Sequence, residues 1–402
     1  MRAFILNIGD ELLSGKTINT NSSFLAEELA KLSITVEKIV VVGDDVELIK
    51  KEVEWFRNSD LDIFISTGGL GPTHDDLSKE TITEALGLDM VLDEKTVNKI
   101  NKYFNNNAPK SNLKQAYFPK NGVIVENNLG TAPGVIINHE RKHYFILVGP
   151  PYELKPMFLD TCMDYLKDLQ DEEYLFREYI VMGGGESFFE DLLINLLNSL
   201  KNVSLNPYAS IGKIRYVIKA NKIHEEEYLQ VINTFEEIMD KYIISKDNEE
   251  VEEVLFKLLE KHNYKISFSE SITGGMLASK FINVSGASRF LSESFVTYSN
   301  EAKIKYLGVD PKTIADFSEV SPEVARQMVI GLKKRTKTEV ALALTGYAGP
   351  TGRDVGLVYY GIMINDKLFI SKERFRGNRE MIRLRATLLG MYKLVRHLKE
   401  EN

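Results

Sequence analysis

Thiol and imidazole groups are scarce in this chain, and the scarcity narrows its chemistry. There is one cysteine, Cys162, and there are six histidines among 402 residues. A single cysteine leaves no disulfide possible within the chain, which suits a reducing cytoplasm. Cys162 falls in an expected helix over 158–169, where a lone thiol is a small buried hydrophobe rather than a nucleophile. His139 and His143 have helical ligand spacing but flank an expected hairpin turn, Glu140-Arg141-Lys142, so no metal site is expected there. No run approaches the ~20 apolar residues that span a bilayer, so no membrane partner is expected. Met1 to Asp10 reads as a short strand rather than a signal peptide. Positive charge is also limited. The formal net charge of -8 argues against a protein that coats nucleic acid. Lys333-Lys334-Arg335-Thr336-Lys337 reads as the solvated end of a helix. Arg374, Arg376, Arg379, Arg383 and Arg385 form a second local run.

What is present is ordinary globular material. Hydrophobic residues make up 44% and charged residues 27%, enough apolar surface for real cores. The length implies roughly two to three domains. Strands over 3–8, 36–42 and 62–66 alternate with helices over 21–32 and 46–57. A further helix is expected over 79–86, with strands over 122–126, 134–138 and 144–148. Such alternation predicts a mainly parallel sheet with helices on both faces. The segment 171–245 differs, with strands over 177–182 and 213–220 and helices over 188–200 and 225–242. From Val251 helix and strand alternate again: helix to Lys261, strands 265–268 and 295–298, helices 276–281 and 322–335, strands 340–344, 356–364 and 368–375, and a last helix from Arg379. Ser321-Pro322 is a serine N-cap followed by an N1 proline. The expected architecture is α/β: two three-layer α/β domains, 1–170 and 246–402, joined by a small α+β domain over 171–245.

Two stretches carry chemistry. The first is Ser269-Glu270-Ser271-Ile272-Thr273-Gly274-Gly275, with Tyr298-Ser299-Asn300-Glu301-Ala302-Lys303 downstream. Serine needs an adjacent base to act as a nucleophile. A lysine can supply one when burial lowers its pKa. A glycine turn entering a helix can aim N–H groups at an oxyanion. Thr345-Gly346-Tyr347-Ala348-Gly349-Pro350 repeats the strand-to-glycine-loop pattern and can wall the pocket. The plainer alternative is that Ser271 and Thr273 cap a helix and Lys303 is a surface residue. The second stretch is Thr67-Gly68-Gly69-Leu70-Gly71-Pro72-Thr73-His74-Asp75-Asp76. Its glycines can cradle a phosphate. Asp75 and Asp76, with Asp44, Asp10 and Glu11 after other strands, offer hard oxygen ligands for Mg²⁺ or a similar cation. Here too the acids can simply cap helices and the glycines simply turn.

Residues 251–402 resemble the C-terminal domain of the CinA (competence/damage-inducible protein) family, related to the nicotinamide mononucleotide amidohydrolases. The likeness rests on Glu270-Ser271-x-Thr273-Gly274-Gly275, Val296-Thr297-Tyr298-Ser299-Asn300-Glu301-Ala302-Lys303, Gly308-Val309, Val320-Ser321 and Thr345-Gly346-x-Ala348-Gly349-Pro350. It implies hydrolysis of the carboxamide of nicotinamide mononucleotide, without metal or other cofactor. Carried over, Ser271 is the nucleophile and Lys303 its base, and Tyr298 orients or shares the proton relay. Thr273, Gly274 and Gly275 line the oxyanion side. Asn300, Thr345 and Gly346 belong to the substrate pocket, and Arg379 meets the substrate phosphate. One departure stands out. The family's longer glycine-rich segment after Gly349-Pro350 is compressed to Thr351-Gly352-Arg353-Asp354-Val355-Gly356.

Residues 1 to about 170 resemble the MoaB/MogA-like molybdopterin-binding domain that begins CinA proteins. The matching residues are Gly9-Asp10-Glu11-Leu12-Leu13-Ser14-Gly15, Asn19-Thr20-Asn21, Thr67-Gly68-Gly69-Leu70-Gly71-Pro72-Thr73-x-Asp75-Asp76, Gly130-Thr131-Ala132-Pro133-Gly134 and Glu153-Leu154-Lys155-Pro156-Met157. Ser78 stands where threonine is usual. The resemblance implies a divalent-metal pyrophosphatase acting on ADP-ribose. Thr67, Gly68, Gly69 and Gly71 would hold the substrate, Glu11, Asp44, Asp75 and Asp76 the metal, and Asp76 would act in catalysis. It also implies a cytoplasmic homodimer. Rival readings are molybdopterin binding or adenylylation, and a scaffold linked to competence or recombination.

Overall fold

Six strands form the sheet of the first unit, in the order Thr35–Val42, Arg2–Ile8, Ile63–Thr67, Lys142–Leu147, Gly134–His139, Val123–Val125. The computed structural model describes residues 1–170, 172–352 and 354–401, and it divides between Tyr174 and Leu175. The first four strands are parallel, and the last two are added antiparallel. Every residue of Ile63–Thr67 is buried. Successive side chains point to opposite faces, so that strand is covered on both, as a three-layer α/β domain requires. The flanking strand Thr35–Val42 alternates exposed and half-buried residues instead, as an edge does. Its helix Val46–Arg57 starts where the Asp45 carboxylate accepts from the Leu48 N–H at 2.9 Å. Gly9, Gly43, Gly68 and Gly149 all emerge at the carboxyl ends of the parallel strands, the end where such sheets bind ligands.

The segment 87–121, for which no element was expected, forms a two-stranded ladder of Met90–Leu92 with Tyr117–Pro119. Between them lie the helix Glu94–Tyr103 and a 3-10 turn, Lys110–Ala116. The helix has an Asp93 cap but buries only Thr96 and Ile100, so its apolar stripe is too thin to see in sequence. The hairpin at His139 is tighter than expected. His139 pairs with Lys142 around Glu140 and Arg141, both at positive φ (51° and 63°), the geometry of a two-residue primed turn. Cys162 is fully buried, and burial pushes its thiol up. The expected helix around it runs from Pro151 to Asp168 with a wider π-type turn at Phe158–Cys162.

The second unit holds two sheets. Its first segment runs strand, helix, strand, strand, helix, strand, and its sheet order is Val203–Ser210, Lys213–Asn221, Tyr174–Val181, Ile243–Ser245. This is the split βαβ arrangement. Tyr179 and Val181 face its own helices, while Ile180 and Met182 join the core of the sheet that follows. That second sheet is ordered Leu291–Val296, Ile266–Glu270, Val340–Gly346, Leu357–Ile364, Lys367–Arg374. Its first three strands are parallel. Alternation along the central strand separates two cores. Val340, Leu342 and Leu344 meet Ile382, Met391 and Leu394 of the helix Arg379–Lys399, and Ala341 and Ala343 meet Val324, Met328 and Val329 of Pro322–Thr336. Among the described residues, no helix is long and apolar enough to cross a membrane.

Candidate functional site

Ser271 follows the last residue of Ile266–Glu270, where the chain leaves the sheet. Lys303 sits on the helix Asn300–Leu307, which starts with the Ser299 hydroxyl accepting from the Ala302 N–H at 3.1 Å. The two meet: Lys303 Nζ donates to Ser271 Oγ at 3.1 Å and to the Tyr298 carbonyl at 3.3 Å. Lys303 is 1% exposed. Burial drives its pKa down, and the charges of Glu319 and Glu301 partly oppose that shift. Among the described residues no carboxylate forms an ion pair with it. The surface reading of Lys303 is therefore excluded by its position, and a buried amine of lowered pKa stands against a serine hydroxyl.

The two open onto a cavity of about 270 Å³, also lined by Tyr298, Glu319, Thr345, Gly346, Tyr347, Thr351 and Arg379. Thr273, Gly274, Gly275 and Asn300 are not on that lining. The Tyr298 side chain is 61% exposed, and its hydroxyl accepts from Arg379 Nη2 at 3.1 Å. It is the Tyr298 backbone carbonyl, not the hydroxyl, that touches Lys303. Arg379 also donates to the Gly349 carbonyl at 2.6 Å, tying the shortened loop to the last helix. Thr345 donates to the Glu319 carbonyl at 2.8 Å. Arg353, in that loop, lies outside the described residues.

The turn after Ser271 is arranged by two residues whose roles the sequence did not suggest. Glu270 is fully buried and accepts from the N–H groups of Gly275, Leu277 and Ala278 at 2.9–3.0 Å. It thus occupies the start of the helix Met276–Phe281, and the Gly275 N–H has an acceptor within the protein. The Ser271 N–H donates to the Leu344 carbonyl at 3.2 Å. The N–H groups of Ile272, Thr273 and Gly274 have no acceptor among the described residues, and of these three residues only Ile272 lines the cavity. Arg383 turns the same peptides, donating to the carbonyls of Ile272 at 3.1 Å and Thr273 at 2.8 Å. The Thr273 hydroxyl is buried with no hydrogen-bond partner among the described residues. Glu270 was visible only as a motif letter, and Arg383 as one member of a basic run.

The first unit carries a larger cavity of about 900 Å³. Glu11, Asp44, Gly68, Gly69, Gly71, Asp75 and Asp76 all line it. Thr67 does not: its hydroxyl donates to Asn7 Oδ1 inside the protein, and it faces a smaller adjoining pocket. Glycine is obligatory at Gly68, and at Gly71 a side chain would have to displace the Asp76 carboxylate. A Cβ on Gly68 (φ 102°) would stand 2.1 Å from the Ile8 carbonyl, and one on Gly71 would stand 2.4 Å from Asp76 Oδ2. The Thr73 hydroxyl lies between the Asp75 and Asp76 carboxylates, and the Thr73 N–H donates to Asp76 at 2.9 Å. The Thr73 hydroxyl holds the Asp75 carboxyl below its usual range. Lys114 donates to the Asp76 carbonyl at 2.6 Å, and Gln115 to the Leu70 carbonyl at 3.3 Å, so the 3-10 turn holds the glycine loop at its middle and at its far end. Those two residues lie some forty positions away, and no local signal announces them.

Burial raises the Asp44 pKa. A hydrogen bond from the Asp10 N–H opposes the shift, and the charges of Asp10, Glu11 and Asp75 add to it. Such mutual repulsion is relieved by a cation. Among the described residues no three metal-ligating side chains already converge on one point. The donor set fits an ion that takes one or two carboxylates and completes its shell with water and substrate phosphate, which is the habit of Mg²⁺.

Comparison with known proteins gives two family matches. Residues 248–398 match the CinA C-terminal domain, and residues 4–168 match a domain described as "Probable molybdopterin binding domain". A competence-damage inducible protein, by name, from Clostridium botulinum (strain Langeland / NCTC 10281 / Type F) is 41% identical over 99% of this chain and 100% of its own length. A relative of the same name from Alkaliphilus oremlandii is 39% identical over 96% of each chain. Among solved structures, the protein CinA from Thermoplasma acidophilum is 33% identical over 40% of this chain and 96% of its own, with a TM-score of 0.39.

Proposed function

The chain belongs to the CinA family of competence-damage inducible proteins, and on that footing we propose that its C-terminal domain is an amidohydrolase acting on nicotinamide mononucleotide. The observation that carries the reading is the buried Lys303 amine 3.1 Å from Ser271 Oγ. In the neutral form, Lys303 takes the serine proton as Oγ adds to the carboxamide carbon. The carbonyl electron pair moves to oxygen, where the Ile272 N–H, on the cavity wall, is the candidate donor. Collapse expels the nitrogen, which receives the proton from Lys303 and leaves as ammonia. Water then gives a proton to Lys303 and adds to the acyl-serine. Its collapse releases nicotinate mononucleotide and returns the proton to Oγ. Arg379, on the cavity wall, offers a guanidinium for the substrate phosphate.

The test is ammonia release from nicotinamide mononucleotide by the full chain, with and without EDTA. Release that survives the chelator and disappears in Ser271→Ala is expected. Activity retained in Ser271→Ala removes Ser271 from the mechanism. No release by folded wild-type protein points to a substrate altered by the shortened 351–356 loop.

For the first unit the proposal is hydrolysis of ADP-ribose with a divalent cation. The joint placement of the glycine loop and the acids on one cavity supports it. Glu11, Asp44, Asp75 and Asp76 would hold the cation, whose contribution when bound is to neutralise phosphate charge. The loop glycines let a phosphate approach the backbone, and Lys114 and Gln115 fix the loop that bears Asp76. Asp76→Ala is expected to abolish metal-dependent cleavage of ADP-ribose and leave ammonia release intact. An unchanged rate refutes the assignment. A pterin is the rival occupant, and parallel binding measurements with pterin and ADP-ribose decide between them.

A further inference from the structure

Reading the large cavity of the first unit as a phosphate-ester site accounts for only part of its wall. The rest includes an apolar and aromatic stretch beside polar residues such as Asn112 and Thr131. Tyr103, the last residue of the helix Glu94–Tyr103, is 61% exposed, and Tyr152, at the start of Pro151–Met157, is 65% exposed. Both line the cavity, together with Phe104 and the exposed Leu129. The Tyr103 and Phe104 rings pack edge-on at 5.2 Å, which steadies the Tyr103 ring.

Exposed aromatic rings on the wall of a polar cavity leave most of their apolar surface in water. A ligand made only of phosphate and sugar gives them nothing to cover. We propose that Tyr103 and Tyr152 form a base-binding subsite: they take the planar heteroaromatic ring of a nucleotide whose phosphates lie against Gly68–Gly71 and the acids. The inference deepens the reading of this cavity as a nucleotide phosphate site and rests on it. Tyrosine suits the task. Its ring stacks on any planar base, its two χ angles lose little entropy, and its hydroxyl stays in water. The subsite therefore selects for the presence of a planar base and is tolerant of its identity.

The test uses binding alone, so it stands apart from whether ADP-ribose is cleaved. Adenosine monophosphate and ribose 5-phosphate, which differ by the base, are titrated into the full-length protein. Wild type is expected to prefer the nucleotide by on the order of tenfold to a hundredfold, the range for a stacked base. The double substitution Tyr103→Ala, Tyr152→Ala is expected to erase that preference and leave ribose 5-phosphate binding as it was. Tyr103→Phe, Tyr152→Phe keeps the rings and is expected to keep the preference. Both side chains are mostly exposed, so folding is not at stake, and retained ribose 5-phosphate binding reports an intact phosphate end. The proposal is overturned by any of three results: no nucleotide preference in wild type, full preference in the double alanine variant, or equal weakening of both ligands. If the nucleotide preference behaves as expected and no hydrolysis occurs, the subsite stands and the pyrophosphatase reading falls.

Discussion

Replacing Lys303 with methionine separates catalysis from stability. Methionine keeps most of the side-chain volume and removes the amine. Losing a general base costs on the order of 10²- to 10⁴-fold in rate. Stability responds in the other direction. The substitution removes two hydrogen bonds, to Ser271 and to the Tyr298 carbonyl, each contributing about 1 kcal/mol. It also removes an amine that is 1% exposed with no ion-pair partner among the described residues, whose charged form burial disfavours. The variant should therefore be as stable as wild type or more so at neutral pH. Burial holds the native pKa of Lys303 below its ordinary 10.5. Between those two values the unfolded chain binds more protons than the native one, so wild-type stability rises with pH across that window. The advantage of Lys303→Met should be greatest below the native pKa and fade toward pH 10.5. Chemical denaturation at several pH values, paired with ammonia release from nicotinamide mononucleotide, reads both effects. A rate loss under tenfold, or a rate loss matched by loss of folded protein, refutes the role of Lys303 as base.

Arg383 acts through the turn it holds, so its removal should lower kcat more than it raises KM. Arg383→Ala is expected to lose on the order of tenfold to a hundredfold in kcat, with partial rescue in Arg383→Lys, which can reach one carbonyl but not fork across both; a change confined to KM contradicts this. In the first unit, Lys79 is 3% exposed and donates to the Gln115 carbonyl at 2.9 Å. Burial lowers its pKa from 10.5 to about 8, equivalent to about 3 kcal/mol at 1.36 kcal/mol per unit. Lys79→Met should raise stability below pH 8 by at most that amount, less the lost hydrogen bond, and the gain should shrink as pH climbs to 10.5. Lower stability at both pH 7 and pH 10 would show that the Gln115 contact outweighs the buried charge.

The fold was legible where burial leaves a mark on composition. Continuous apolar runs such as Ile63–Thr67 and Val340–Leu344 announce parallel strands covered on both faces. Helices with a wide apolar stripe and a cap, such as Val46–Arg57 and Pro322–Thr336, were placed within a residue. Several of the elements that escaped are thinly buried, though the short strand Ile243–Ser245 is buried throughout and was missed for its length. Glu94–Tyr103 buries two residues, Val203–Ser210 is exposed along most of its length, and Pro311–Phe317 buries none. Hydrophobic patterning carries no information about segments that touch the core this little.

The site divides along a different line. Groups that reach a ligand follow strand ends and sit in recognisable turns, so Ser271, Lys303 and the Gly68–Asp76 loop were all picked out from sequence. The groups that aim them are distant in the chain: Arg383 lies 110 positions beyond Thr273, and Lys114 lies 38 beyond Asp76. Each acts by taking backbone carbonyls, a bond that asks only for a long basic side chain and leaves no pattern around its acceptor. The same holds for Glu270. Its carboxylate takes the helix-start amides that sequence reasoning would offer to an oxyanion, and so leaves the Ile272 N–H, on the cavity wall, as the candidate donor. Sequence thus identifies what can react. Which N–H groups are left facing the reaction follows only from knowing which are already bonded.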